Sequence, residues 1–217
     1  MNTNSNKNST ELLEKTKEAL IKNNMEAYVV ENKAQAKELV EKLLEKGSTI
    51  SSGGSVTLGE CGIMELLRSD SYDYIDREKF EDKREAYIKS FAADYYLCSS
   101  NAVTQSGELY NVDGNGNRVA AICYGPSKVI LLVGKNKIVE NISEAEKRVK
   151  EIAAPLNSRR LGYETYCLNA GVCMGEAGDF AKGCHAPARI CCQYVVTGFQ
   201  RIKGRITVIL INEDCGY

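Results

Sequence analysis

Three consecutive segments constrain the fold most. Met25–Val30 is a short apolar strand pattern. Ala34–Lys46 repeats Ala36, Leu39, Val40 and Leu43 at helical spacing, and Ser48–Ser52 is a second strand pattern. Asn32 is placed to cap the helix and Gly47 to end it. Parallel strands need a crossover of about a dozen residues or more, which a helix of this length supplies. The order predicts a parallel βαβ unit, right-handed by the chirality of strand twist. Far downstream, Ile206–Ile211 (ITVILI) has the near-continuous apolar content of a central strand covered on both faces. Together these predict an α/β fold, a mostly parallel twisted sheet flanked by helices. Thr10 is placed to cap a preceding helix that runs to about Asn24. Residues 1–9 are expected to be a disordered polar terminus and residues 10–217 a single domain.

The chain can fill such a core, with 43% hydrophobic and 26% charged residues. Its 28 basic and 29 acidic residues leave a net charge of −1, which gives no footprint for nucleic acid or an anionic membrane. No apolar run approaches the roughly 20 residues of a membrane span. The amino terminus lacks the apolar core of a secretion signal, so a cytoplasmic protein is expected. Exposed strand edges and the near-zero charge permit a homodimer.

Between Tyr95 and Gly134 the pattern reads as four strands: Tyr95–Ser100, Glu108–Val112, Val119–Tyr124 and Val129–Val133. Asp113-Gly114-Asn115-Gly116 reads as a hairpin turn, since both Asp-Gly and Asn-Gly tolerate positive φ. Upstream, Arg77–Ala93 reads as a charged helix with Phe80, Arg84, Tyr87, Ile88 and Phe91 inward. Downstream, Ser143 to Arg160 reads as a helix that Pro155 should kink or end. Two polar segments follow strands directly. Ser51-Ser52-Gly53-Gly54-Ser55 opens onto an expected helix from Thr57 to Leu67, and Ser99–Thr104 follows the Tyr95–Ser100 strand. Ligands of open α/β sheets gather past the carboxyl ends of strands. A glycine turn leading into a helix amino terminus also suits an anion. The glycine segment is neither a Walker loop nor a GxGxxG fingerprint, and a plain βα turn is the other reading.

Five of the nine cysteines fall between Cys167 and Cys192, in a Gly- and Ala-rich segment with weak periodicity. The expectation is a small loop-rich lobe, residues 162–192, which gains from a cross-link or a metal. Cys167, Cys173, Cys184 and Cys191 could supply four thiolates to zinc or an iron–sulfur cluster. Buried free thiols and disulfides are the other two readings. Cys192 could substitute as a ligand, and His185 reads either as a ligand or as a surface or hydrogen-bonded histidine. Cys61, Cys98, Cys123 and Cys215 read as core residues, with Cys61 and Cys98 close to the two strand-end loops.

The segments SSGGS, SSNAVTQSGELYNVDGNGNRVAA and YGPSKVILLVGKNKIV, with the Cys-rich tail ending GRITVILINEDCGY, resemble the lactate utilization domain family, formerly DUF162. The similarity runs from about residue 10 to the end and is nearest to stand-alone anaerobe-type members with a cysteine-bearing tail. It implies a fold related to ribose-5-phosphate isomerase, glucosamine-6-phosphate deaminase and CoA transferases. It also implies a small anionic metabolite as ligand, an accessory role in lactate–pyruvate redox metabolism and a redox partner protein. The resemblance carries ligand binding to Ser52, Gly53, Gly54, Ser55, Asn101, Thr104 and Arg118, with Gly107 and Asn117 in the same matched segments. Glu108 is the acid/base or nucleophile candidate by position, and a regulatory module without turnover is the alternative to an isomerase- or transferase-like enzyme. The four tail cysteines match as metal ligands, with iron–sulfur or zinc as the group. Here MGEAGDFAKG separates the second and third, which relatives hold close together.

Overall fold

The computed structural model describes residues 2–175 and 180–217. Helix α1 (Asn2–Lys22) begins ahead of the expected Thr10 cap. Strand β1 (Glu26–Val30), helix α2 (Lys33–Leu43) and strand β2 (Thr49–Ser52) follow as predicted. Asn32 caps α2 by accepting from the Gln35 N–H at 2.9 Å. The predicted Thr57–Leu67 helix is two short pieces, α3 (Val56–Glu60) and α4 (Ile63–Leu67), separated where Gly62 takes a φ of 66°. A two-residue strand, β3 (Asp73–Tyr74), comes next.

The charged segment from Arg77 is likewise divided. Asp76 caps a single turn at Arg77–Lys79, and Asp82 caps α5 (Lys83–Ser90). Its inner face is Ala86 and Ser90, not the larger residues at helical spacing. Ile88 is 52% exposed, while Ser90 bonds Ser51 on β2 at 2.6 Å. Small residues let the helix backbone lie close on the sheet.

Strand β4 (Tyr95–Cys98) leads to β5 (Ala102–Thr104) and β6 (Leu109–Asp113), an antiparallel pair. The next segment corrects the sequence reading. Val119–Cys123 is helical, within α6 (Asn117–Cys123), so the Asp113–Gly116 turn joins a strand to a helix and serves no hairpin. A short apolar run carries no decisive period. What decides is Asp113, whose carboxylate accepts from the N–H groups of Arg118 (2.9 Å) and Val119 (3.3 Å) and so satisfies the start of a helix. Strands β7 (Lys128–Gly134) and β8 (Ile138–Val139) come next. Then α7 (Ile142–Arg148), capped by Asn141 rather than Ser143, passes through a π-helical stretch at Val149–Ala153 into α8 (Ala154–Leu161). Pro155 comes just after the π-helical stretch and neither ends the helix nor begins a free one. A short helix α9 (Tyr166–Ala170) opens the cysteine lobe, and β9 (Gln193–Thr197) and β10 (Ile206–Ile211) follow it.

Six strands form one sheet in the order β1-β10-β7-β4-β2-β3, parallel at every pairing. The other four form a smaller sheet, β8-β5-β6-β9. Strand β10 lies between β1 and β7 with all six residues buried, as its composition predicts. Alternation splits it between two cores. Ile206, Val208 and Leu210 join Leu13, Leu20 and Ile122 of α1 and α6. Ile209 and Ile211 join Val40, Leu58 and Ile63 of α2, α3 and α4. Each buried aliphatic side chain contributes about 1.5–3 kcal/mol of transfer free energy. Tyr110 and Val149 help form a third cluster between the smaller sheet and α7. The sheet is therefore covered on both faces, and its carboxyl edge is the place where loops converge. No helix among the described residues is long and apolar enough to cross a membrane.

Candidate functional site

A cavity of about 510 Å³ opens where the loops after β2, β4, β6 and β7 meet. Gly54, Ser55 and Thr57 line it from the first, Ser99, Ser100 and Asn101 from the second, and Asp113–Asn115 with Asn117 from the third. Lys137 enters after β7, Asn157 and Arg160 from α8, and Pro187–Cys191 from the cysteine lobe. Six basic side chains border it, Arg77, Lys83, Arg118, Lys137, Arg160 and Arg189, against two acidic ones, Glu78 and Asp113. Glu78 is already paired with Arg77 (3.1 Å) and Lys83 (3.6 Å), and Asp113 caps α6. The field left over is positive, and low-dielectric walls concentrate it.

Arg118 is the keystone of one wall. Its guanidinium donates to Ser99 O (3.0 Å), Asn111 Oδ1 (2.7 Å), Asn101 Oδ1 (2.8 Å) and Val112 O (2.8 Å). Four of its five N–H groups are thereby committed, so it acts on a ligand mainly through its charge. Asn101 Oδ1 also accepts from Val112 N at 2.8 Å, which ties the post-β4 loop to β6. Gly53 fits because a Cβ there would lie 3.0 Å from Tyr96 Oη and 3.2 Å from Arg118 Cδ. At Gly54 a Cβ would stand 3.0 Å from the Arg77 guanidinium. The glycine pair thus lets the backbone pass between two arginines.

Lys137 was not singled out from the sequence, and it is the most unusual group in the cavity. Only 2% exposed, its Nζ donates to Thr57 Oγ1 at 2.8 Å and Ser99 Oγ at 3.0 Å. Burial holds its pKa down to about 7, helped by the Arg148 and Arg118 charges and opposed by Cys215 and Glu60. Arg148 is itself buried, donating to Asn136 O (3.1 Å) and Asn101 O (2.7 Å). A signal existed in the sequence. Lys137 lies just past the carboxyl end of an apolar strand, the same rule that pointed to the two polar loops.

The predicted site residues divide accordingly. Gly54, Ser55, Asn101 and Arg118 line the cavity. Ser52 lies beneath it and bonds Tyr74 Oη at 2.7 Å, and Gly53 backs the wall. Thr104 and Glu108 bond each other on the β5–β6 hairpin, and neither lines the cavity. Much of the expected Ser99–Thr104 loop is strand β5, fully buried, so only its first three residues reach the site.

Cys167, Cys173, Cys184 and Cys191 are brought together, lining a second small cavity of about 10 Å³ with Met174 and Lys150. All nine cysteines are free thiols. Arg189 organises the lobe by donating to the carbonyls of Cys191 (2.9 Å), Cys184 (3.2 Å) and Phe180 (2.7 Å). Among the described residues no three His, Cys, Asp or Glu side chains are grouped closely enough to hold a metal ion. Residues 176–179 of the MGEAGDFAKG insertion lie outside the described residues. His185 and Cys192 are exposed and line neither cavity. Cys61, Cys98 and Cys215 are core residues as expected, whereas Cys123 is exposed. Cys98 is buried completely, which pushes its thiol up to about 12.

Comparison with known proteins agrees with this architecture. The crystal structure of a DUF162 family protein from Deinococcus radiodurans is similar over 94% of this chain and 98% of that one, with a TM-score of 0.51 and 15% sequence identity. No curated protein matches the chain. The model of the LUD domain family matches residues 13–211, almost the whole of the folded chain, and the protein belongs to that family.

Proposed function

We propose that the protein binds a small anionic metabolite in the strand-end cavity, as an accessory to lactate–pyruvate metabolism. The observation that carries this reading is the excess of basic over acidic side chains around 510 Å³ of space, with both acids already engaged. Membership of the LUD domain family supports the metabolic setting. Calorimetric titration with lactate, pyruvate and inorganic phosphate tests it. Saturable binding of at least one is expected. Arg77→Gln, which removes a cation bordering Gly54, should weaken that binding roughly tenfold, the worth of one charge-assisted hydrogen bond. Absence of saturable binding, or equal affinity in Arg77→Gln, would count against the cavity as an anion site.

The shared cavity of Cys167, Cys173, Cys184 and Cys191 favours a second reading, that these four thiols hold an iron–sulfur cluster or zinc. Four thiolates are suitable donors for either group, and loading would have to draw them closer than they stand, since no three such side chains among the described residues are grouped closely enough to hold a metal. A cluster would supply one-electron transfer to a partner protein, and zinc would only brace the lobe. Protein purified without oxygen should be brown with absorbance near ~400 nm, or colourless with one zinc per chain. Metal-free protein whose lobe is as stable as after reconstitution with iron and sulfide, or with zinc, would overturn this reading.

A further inference from the structure

We propose that Lys137 is the reactive group of the cavity, condensing through Nζ with a small carbonyl compound that bears a carboxylate or phosphate. The inference rests on the anion-binding role proposed for the cavity and names its substrate class.

The hydrogen-bond directions carry the argument. Thr57 Oγ1 donates its own hydrogen to Cys215 O at 3.1 Å, and Ser99 Oγ donates its own to Ser100 O at 3.3 Å. Each hydroxyl therefore meets Lys137 as an acceptor, at 2.8 and 3.0 Å. A neutral amine has two N–H groups and one lone pair. These two acceptors take both N–H groups and leave the lone pair uncommitted. Among the described residues no carboxylate forms an ion pair with Lys137, although nine such pairs occur elsewhere in the chain. The cations Arg148 and Arg118 disfavour an ammonium, and Cys215 and Glu60 oppose them only in part. Its folded pKa of about 7 leaves a large share of the amine unprotonated in neutral solution. A desolvated lysine beside other cations is a recognised activated nucleophile. The remaining basic side chains give the substrate its anionic group, and the amine gives it a carbonyl.

The step balances without a co-reactant. The Nζ lone pair attacks the carbonyl carbon, and a nitrogen proton passes to the carbonyl oxygen to give a carbinolamine. Loss of water then removes that oxygen with both former amine protons and leaves a C=N bond. Thr57 and Ser99 sit where those protons depart. Nothing is oxidised or reduced until a hydride donor is added from outside.

The test is to incubate the full-length protein near neutral pH with sodium cyanoborohydride and either pyruvate or glycolaldehyde phosphate, then map the modified lysines by mass spectrometry. The reduced adduct adds the mass of the carbonyl compound less one oxygen atom. Labelling of Lys137 should exceed that of any exposed lysine by roughly a thousandfold, because ordinary lysines near pKa 10.4 are almost wholly protonated at this pH. Which probe labels faster tells the carboxylate class from the phosphate class. Lys137→Met should lose the adduct, and the wild-type map decides the matter even if that variant fails to fold. Saturable binding of a probe without an adduct at Lys137, or labelling spread evenly over exposed lysines, overturns the amine chemistry and leaves the anion-binding reading intact. Neither binding nor labelling overturns both.

Discussion

Gly107→Ala should lower the stability of the protein by about 3 kcal/mol, the sum of a strained backbone and a steric overlap. Gly107 has a φ of 83°, and a Cβ there would lie 2.7 Å from Ala19 C and 2.8 Å from Leu20 N. Those are backbone atoms of α1 and cannot swing aside as a side chain can. The β5–β6 hairpin docks on α1 at this point, with Asn23 Nδ2 donating to Ser106 O (2.9 Å) and Gly107 O (3.0 Å). Forcing them apart also disturbs Asn101, just before β5, and Asn111, within β6, which both hold Arg118. Gly47→Ala is the matched control. It has a comparable φ of 77° but nothing within 4 Å of the added carbon, so it should cost only about 1 kcal/mol. Urea denaturation of the two variants measures the difference. Equal losses would show that the approach to α1 is not what requires glycine.

Arg118→Met should cost about 2–4 kcal/mol and abolish anion binding. Removing the guanidinium leaves Asn111, a residue with no exposed surface, without a partner for Oδ1, and its Nδ2 already has none. The carbonyls of Ser99 and Val112 lose a donor at the same time. Arg118→Lys should recover the charge but little of the stability, because one ammonium on a flexible stem cannot reach acceptors on both loops. Denaturation and ligand titration on both variants separate the two effects. A fully stable Arg118→Lys protein would mean that the charge matters and the fork of hydrogen bonds does not.

These two residues also show where local pattern stops being informative. Gly107 entered the sequence reading only as part of the matched segment, and it lies in the hairpin between β5 and β6. Its intolerance comes from α1, more than eighty residues earlier in the chain. Arg118 was legible as a binding candidate, yet its main work is to join two loops. The adjoining Val119–Tyr124 run read as a strand because a short apolar run fits either period. Asp113 settled it by capping the helix from outside the segment. Glu108 stood out as a carboxylate near a strand end, but the β5–β6 hairpin turns it away from the cavity and toward Thr104.

The α/β class, the central place of Ile206–Ile211 and the two strand-end loops followed from sequence alone. Each depends on residues a few positions apart, whose spacing records which face is buried and where the chain must turn. The character of the site did not follow. Lys137 is 80 residues from Thr57 and 38 from Ser99, and only the stacking of parallel strands brings their carboxyl ends together. Four cysteines scattered over a loop-rich tail meet in one small cavity because the lobe folds back on the π-helical stretch and the start of α8. Burial then turns an ordinary surface-type lysine into a reactive amine. That change in solvation belongs to the assembled fold, and no spacing along the chain records it.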